Sequence, residues 1–304
     1  MSSVLWVLLP IFLLIAGGFL LRLVFIRSAA AWQLVEKLTY YVLFPALLIV
    51  TLSRLSFDLR TVAPLLAVIT FSLLTVAGAL LAFRCRLQLD GPSFSSVFQG
   101  AIRYNTYVGL SAAGALYGEP GIALMAFLSA AMIPAVNVLS VYVLTRFASR
   151  NGFSWQSASA EIMKNPLILS AIAGLALSAF QIPIPLMVSD VLGLLGKASL
   201  PLGLLAVGAG LNLSSIAGHV RPVALGSVLK LLVLPLLVWG LGVLAGIDRM
   251  PLAMAVLYSS LPTASSAFIL ARELGGNHAL MASIITMQTM IAFLTLPVFV
   301  LLQR

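Results

Sequence analysis

The sequence predicts an all-α polytopic membrane protein: ten transmembrane helices forming two inverted five-helix repeats, with helices 4 and 9 broken and crossing. Three observations predict it. Of 304 residues, 62% are apolar and only 8% charged, against about 25% charged in a soluble domain whose surface must stay wet. The charges cluster at intervals, separated by apolar stretches of about 20 residues, the length that crosses a ~30 Å hydrocarbon core. Finally, parts of the chain coincide with themselves after a shift of 156 residues.

This composition excludes a soluble enzyme, a nucleic-acid binder and a secreted disulfide scaffold. The net charge of +9 reports loops held in the cytoplasm rather than a nucleic-acid partner. The single cysteine, Cys85, cannot form an intramolecular disulfide. Met1 to Pro10 has no positive n-region, so the first apolar run reads as a retained span rather than a signal peptide.

Apolar windows between charge and turn signals place spans at 4–26, 34–53, 61–83, 94–116, 120–146, 165–181, 186–211, 222–246, 251–272 and 278–302. The chain divides into a first repeat (1–146), a cytoplasmic connecting loop (147–164) and a second repeat (165–304). Trp155, Phe153 and Met163 suit that loop to the membrane surface. Loops after odd spans hold Arg27, Arg84, Arg86, Arg146, Arg150, Lys164, Arg221 and Arg272; the opposite set holds Arg54, Arg60, Arg249 and Arg304. The excess puts the first set in the cytoplasm and both termini on the periplasmic or extracellular side.

The shift of 156 lays Pro10 on Pro166, Gly18 on Gly174, Pro45 on Pro201, and Ala-Leu-Met-Ala at 123–126 on the same four residues at 279–282. Prolines are only 15 of 304, so aligned pairs in one register favour a repeat over chance. Five spans per repeat is an odd number, so the second repeat enters the membrane upside down. Inverted repeats mark secondary transporters, whose substrate site lies near the midplane between them.

Two polar knots interrupt the apolar pattern. Span 4 reads Phe98-Gln-Gly-Ala-Ile-Arg-Tyr-Asn-Thr-Tyr-Val-Gly-Leu-Ser111, and span 9 reads Leu257-Tyr-Ser-Ser-Leu-Pro-Thr-Ala-Ser-Ser266. The shift sets Thr106 against Pro262. Proline removes a backbone donor and clashes with the preceding turn, while Asn, Ser, Thr and Gly loosen helical bonding. Backbone freed at membrane depth must be buried in protein or line a cavity. The functional reading is two unwound, crossing helices that present half-helix N-termini to an anion. The alternative is a pair of kinked packing helices with small residues at their interface.

Arg103, Lys230 and Lys197 lie deep within spans 4, 8 and 7, where burying a cation costs about 2.5–3.5 kcal/mol even on the lenient insertion scale. Each is expected to face a cavity or a partner, the alternative being snorkelling or pairing with backbone carbonyls, which is strongest for Lys197. The acids Glu36, Asp58, Asp90, Glu119, Glu161, Asp190, Asp248 and Glu273 all fall in loops or near span ends. Without a mid-depth carboxylate, a Na⁺ or proton site and a Mg²⁺ site both lack their ligands. A positive cavity with helix N-termini suits an organic anion. His219 and His278 read as solvated rather than metal ligands. Ser259, Ser260, Ser265 and Ser266 lack a nearby base, so they read as polar lining rather than a hydrolase site. No cofactor, metal or enzymatic activity is expected.

At these residues the sequence resembles the auxin efflux carrier family, in its bacterial branch of malonate-transporter-like proteins. The motifs are Tyr40-Tyr-Val-Leu-Phe-Pro45, Arg103-Tyr-Asn-Thr-Tyr-Val-Gly-Leu110, Ile133-Pro-Ala-Val-Asn137, Pro201 with Gly208-Ala-Gly-Leu211, Leu229-Lys-Leu-Leu-Val-Leu-Pro235, and Leu261-Pro-Thr-Ala-Ser265. The resemblance implies a scaffold of helices 1, 2, 6 and 7 and a moving transport domain of helices 3–5 and 8–10. It also implies elevator-type movement and a homodimer. Asn105 and Asn137 would face substrate, and Pro262 and Thr263 would sit at the crossover. Ser111 stands where the family usually has proline, and the acid that plant members carry in span 3 has no counterpart, so coupling is not inherited from that branch.

These readings converge on a carrier for a small organic anion such as malonate or an auxin-like acid, in the bacterial inner membrane. Arg103 and Lys230 would set a positive field. Asn105, Thr106, Gly109, Asn137, Pro262, Thr263 and Ser266 would contribute to the binding site, and Pro45, Pro201, Gly109 and Pro262 to the hinges. The rivals are a Na⁺- or H⁺-coupled symporter or antiporter of the same fold and a non-transporting membrane partner protein.

Overall fold

A computed structural model describes residues 2–54, 59–148, 163, 165–213 and 218–303. Of the connecting loop expected at 147–164, Trp155, Phe153, Arg150, Glu161 and Lys164 lie outside the described residues. Among the described residues the chain is helix and short connections, with no strand. Among these residues seven helical stretches are long and apolar enough to cross a membrane: Val4–Val24, Ala29–Ser53, Val62–Ala82, Gly91–Phe147, Leu186–Ala209, Val220–Leu244 and His278–Leu301.

In chain order the elements are α1 (Ser2–Val24), α2 (Ala29–Ser53), α3 (Leu59–Ala82), α4 (Gly91–Ile102), α5 (Thr106–Phe147) and α6 (Pro166–Ala179). They continue as α7 (Leu186–Ala209), α8 (Val220–Leu244), α9 (Arg249–Ser259), α10 (Ser266–Glu273) and α11 (His278–Leu301).

Local chemistry explains where these helices start, bend and turn. Ser28 caps α2 by accepting from the Ala31 N–H at 3.4 Å, so this helix begins at Ala29, five residues before the expected start at 34. Pro45 and Pro235 have no N–H to donate and crowd the preceding turn. Each follows a π-helical turn, Thr39–Leu43 and Leu229–Val233, in which Phe44 and Leu234 bond five residues back to the Thr39 and Leu229 carbonyls. α5 turns back on itself at Gly118, whose φ of 65° and ψ of −153° suit a residue without a Cβ. In a straight helix Ala113 and Gly121 would be about 12 Å apart along the axis, at ~1.5 Å per residue. Instead the Ala113 carbonyl oxygen lies 2.6 Å from where a Gly121 Cβ would sit.

Small residues let the first set of helices touch. α1 packs along α7, and the second half of α2 packs on α6 and α7. A Cβ on Gly18 would fall on the Leu205 carbonyl, and one on Gly208 on the Ile15 carbonyl. Close backbone approach of this kind carries helix association in lipid, where no hydrophobic gain is left between helices. Arg22 at the end of α1 ties off α7 by donating to the carbonyls of Ala209 (2.7 Å) and Leu211 (3.1 Å). The remaining helices pack among themselves: α4 contacts α5, α8 and α11, and α9 contacts α3, α5 and α8.

Candidate functional site

Two breaks face each other inside this second group. α4 stops because Arg103 adopts extended backbone (φ −83°, ψ 155°), and α5 restarts after Asn105 (φ −85°, ψ 97°). Asn105 caps the new helix by accepting from the Val108 N–H at 3.3 Å, the role its short polar side chain suits. The second break spans residues 260–265 between α9 and α10. Pro262 there disfavours helical backbone at Leu261. The Asn105 N–H donates to the Pro262 carbonyl at 2.8 Å, so the two breaks cross and satisfy one another.

A buried polar ladder supports the crossing. The Thr263 N–H donates to Gln288 Oε1 at 2.9 Å, and the Thr263 hydroxyl lies 2.7 Å from that oxygen and 2.8 Å from the Gly100 carbonyl. Gln288 Nε2 donates to the carbonyls of Gly100 (2.8 Å) and Gly226 (3.2 Å). One side chain from α11 thus satisfies carbonyls of α4 and α8 and an amide freed by the proline break. Buried polar groups must be paired this way or carry their full desolvation cost.

Lys230 is fully buried. Its Nζ donates to the Ser259 carbonyl at 3.3 Å and lies 3.3 Å from the Tyr104 ring centroid, a cation–π arrangement. The Tyr104 ring packs in turn on Tyr258, with centroids 4.3 Å apart. Lys230 therefore caps the negative C-terminal end of α9 and wedges the first break against the second.

A cavity of about 90 Å³ opens between the crossing and the α1–α2–α6–α7 group, several times the ~10–15 Å³ that one water needs. Its walls carry Arg103, Asn105, Thr106, Asn137 and Ser266 of the expected site residues. Arg103 donates to the Ser266 hydroxyl at 3.2 Å, joining the two breaks a second time. Thr106 begins α5 and Ser266 begins α10. The Ala267 and Phe268 N–H groups of α10 already donate to the Ala264 (3.1 Å) and Ser265 (3.0 Å) carbonyls, and Asn105 takes the Val108 N–H of α5. What the two starts add is therefore the positive end of each helix dipole.

The other expected residues lie elsewhere. Lys230 sits behind Tyr104. Pro262 and Thr263 are buried in the crossing itself. Gly109 is buried where a Cβ would press on Leu261 and Met125. Pro45 follows the π turn of α2, and Pro201 is exposed on α7. Lys197, for which snorkelling is the open alternative to a cavity or a partner, is exposed on α7.

One expectation is overturned. Glu36, assigned to a span end, lines the cavity and accepts from the Ser265 hydroxyl at 3.2 Å. The earlier start of α2 at Ala29 carries this acid two turns into the helix, so the argument from missing carboxylates fails at this residue. Sequence reasoning also missed Tyr40, Phe44, Tyr107 and Asn165, which line the same space. The spacing of Glu36, Tyr40 and Phe44, four residues apart on one helix face, was the available signal. Gln288, a lone amide inside an apolar span, was the signal for the ladder. Among the described residues no group of three or more His, Cys, Asp or Glu is placed to hold a metal ion.

Comparison with known proteins accords with this architecture. Residues 3–300 match the model of a family described as membrane transport protein. An uncharacterized transporter of Methanothermobacter thermautotrophicus is 23% identical over 300 residues, covering 96% of this chain and 95% of that one. With nearly its whole length matched, the chain belongs to the membrane transport protein family, the auxin efflux carrier family that its motifs resemble.

Proposed function

We propose that this multi-pass membrane transporter carries a small organic acid, bound by its carboxylate at the crossing of the two breaks. The observation that carries the reading is the Arg103 side chain, anchored to Ser266 (3.2 Å) in a cavity that also receives the starts of α5 and α10. A guanidinium offers a carboxylate charge-assisted hydrogen bonds in fixed directions, and two helix N-termini add the positive ends of their dipoles. Asn105, Thr106, Asn137 and Ser266 complete that wall. Malonate-like and auxin-like acids are the substrate types in view.

Reading the chain as two inverted five-helix repeats would set the two breaks at equivalent positions. The cavity lies between two packed groups, helices 1, 2, 6 and 7 against the rest, which supports an elevator-type movement of the second group. Glu36, two turns into α2, and Asn165 at the start of α6 favour a cavity reached from the side whose loops are assigned to the cytoplasm. A homodimer in the bacterial inner membrane, with both termini periplasmic, completes the reading.

A second reading, a proton-coupled carrier of the same fold, draws on Glu36 in the cavity wall. The test is solid-supported-membrane electrophysiology and radiolabel counterflow on the purified protein in liposomes. Saturable uptake of a small carboxylate, lost in Arg103→Ala, is expected. Undiminished uptake by Arg103→Ala overturns the carboxylate assignment.

A further inference from the structure

The proposed site has a second pole. Also lining the cavity, Glu36, Tyr40 and Phe44 form one stripe of α2, and Tyr107 comes from the first turn of α5. The Phe44 and Tyr107 rings meet edge to face with centroids 5.1 Å apart. Tyr107 is held from behind, because its ring covers Gly203 of α7 where any Cβ would collide with it. A carboxylate sharing a cavity with aromatic rings is an environment that receives a substituted or free ammonium group, through an ion pair with the acid and attraction to the rings.

The two poles are tied to one another. Ser265 donates to Glu36 at 3.2 Å, while its neighbour Ser266 accepts from Arg103 at 3.2 Å. Consecutive residues have Cα atoms only ~3.8 Å apart, so the carboxylate and the guanidinium are anchored side by side at the start of α10. A short solute seated between them meets both. A dicarboxylate would set its second carboxylate against Glu36, and like charges at such range disfavour the ionised pair. A solute with a carboxylate at one end and an ammonium at the other completes both.

We infer that Glu36, with Tyr40, Phe44 and Tyr107, is a specificity subsite for a cationic nitrogen, so that the transported solute is a small zwitterionic aminocarboxylate. The inference rests on the carrier reading above, since Arg103 must hold the carboxylate end. It narrows the malonate-like and auxin-like acids named above to aminocarboxylates, because a simple mono- or dicarboxylate leaves the Glu36 charge unmatched.

The test is radiolabel counterflow in liposomes with β-alanine and glycine betaine, each set against propionate and malonate, for the full-length wild type, Glu36→Gln and Glu36→Asp. The wild type is expected to prefer the zwitterions by about tenfold or more, the effect of one unmatched charge-assisted contact. Glu36→Gln is expected to lose that preference in favour of propionate, and Glu36→Asp to recover part of it. Propionate or malonate carried by the wild type as well as the zwitterions overturns this inference and leaves the carrier reading standing, whether or not Glu36→Gln folds. A preference unchanged in Glu36→Gln overturns the role of Glu36, and a pure dependence on the proton gradient there assigns the residue to coupling instead. Transport of none of these solutes overturns both readings.

Discussion

The backbone N–H of Asn105 donates to the carbonyl of Pro262 at 2.8 Å, so each broken helix supplies what the other lost. A helix interrupted in a membrane exposes donors and acceptors that lipid cannot satisfy. Here the extended backbone before α5 finds its acceptor in the segment that proline holds out of α9. Pro262→Ala removes the obstacle to helix at 261–263 and draws that carbonyl back toward the α9 axis. Faster amide exchange in the peptide spanning 103–110 and a marked loss of uptake are the expected outcomes, read by hydrogen-exchange mass spectrometry and counterflow.

Gln288 bears on stability more than on substrate. Its amide serves the Thr263 N–H, the Gly100 carbonyl and the Gly226 carbonyl. Gln288→Leu leaves the Thr263 amide buried and unpaired, at a cost of about 1–3 kcal/mol. A lowered melting temperature in detergent should report this, and Thr263→Ser, which keeps the hydroxyl, should unfold close to wild type.

Lys230 and Arg103 are both deep cations, but their surroundings assign them different work. Arg103 lines the cavity, whereas Lys230 is screened from it by the Tyr104 ring that its Nζ faces at 3.3 Å. Arg103→Lys keeps the charge but loses the planar fork that suits a carboxylate, so a raised KM with residual uptake is expected. Lys230→Met should instead lower the maximal rate and the melting temperature with KM little changed. Equal KM effects in the two variants would contradict this division.

Gly208 marks the tightest contact between α1 and α7. A side chain there would overlap the Ile15 carbonyl, and forced repacking of a tight interface costs about 1–3 kcal/mol. Gly208→Val is expected to unfold at lower temperature than wild type. Gly240→Val, where a Cβ meets nothing within 4 Å, is the matched control and should not.

Membership in a membrane, the run of apolar helices and the positions of both breaks were legible in the chain itself. The reasons are local: apolar length, proline's missing donor and the cap chemistry of Asn105 act on nearest neighbours along the sequence. Arg103, Asn105, Thr106, Asn137 and Ser266 could be named as cavity candidates because a polar residue inside an apolar run has few other uses. The second wall could not be read this way. Glu36 looks like a span-end acid until Ser28 starts the helix at Ala29 and the packing of α2 against α7 turns the face of Glu36, Tyr40 and Phe44 toward Ser265. Likewise, only packing decided that Lys230 ends on Ser259 and Tyr104 rather than in the cavity, and that Gln288 reaches Thr263. Which face a helix shows its neighbours depends on how glycine contacts and proline bends set its rotation, and that rotation is decided by all the helices together.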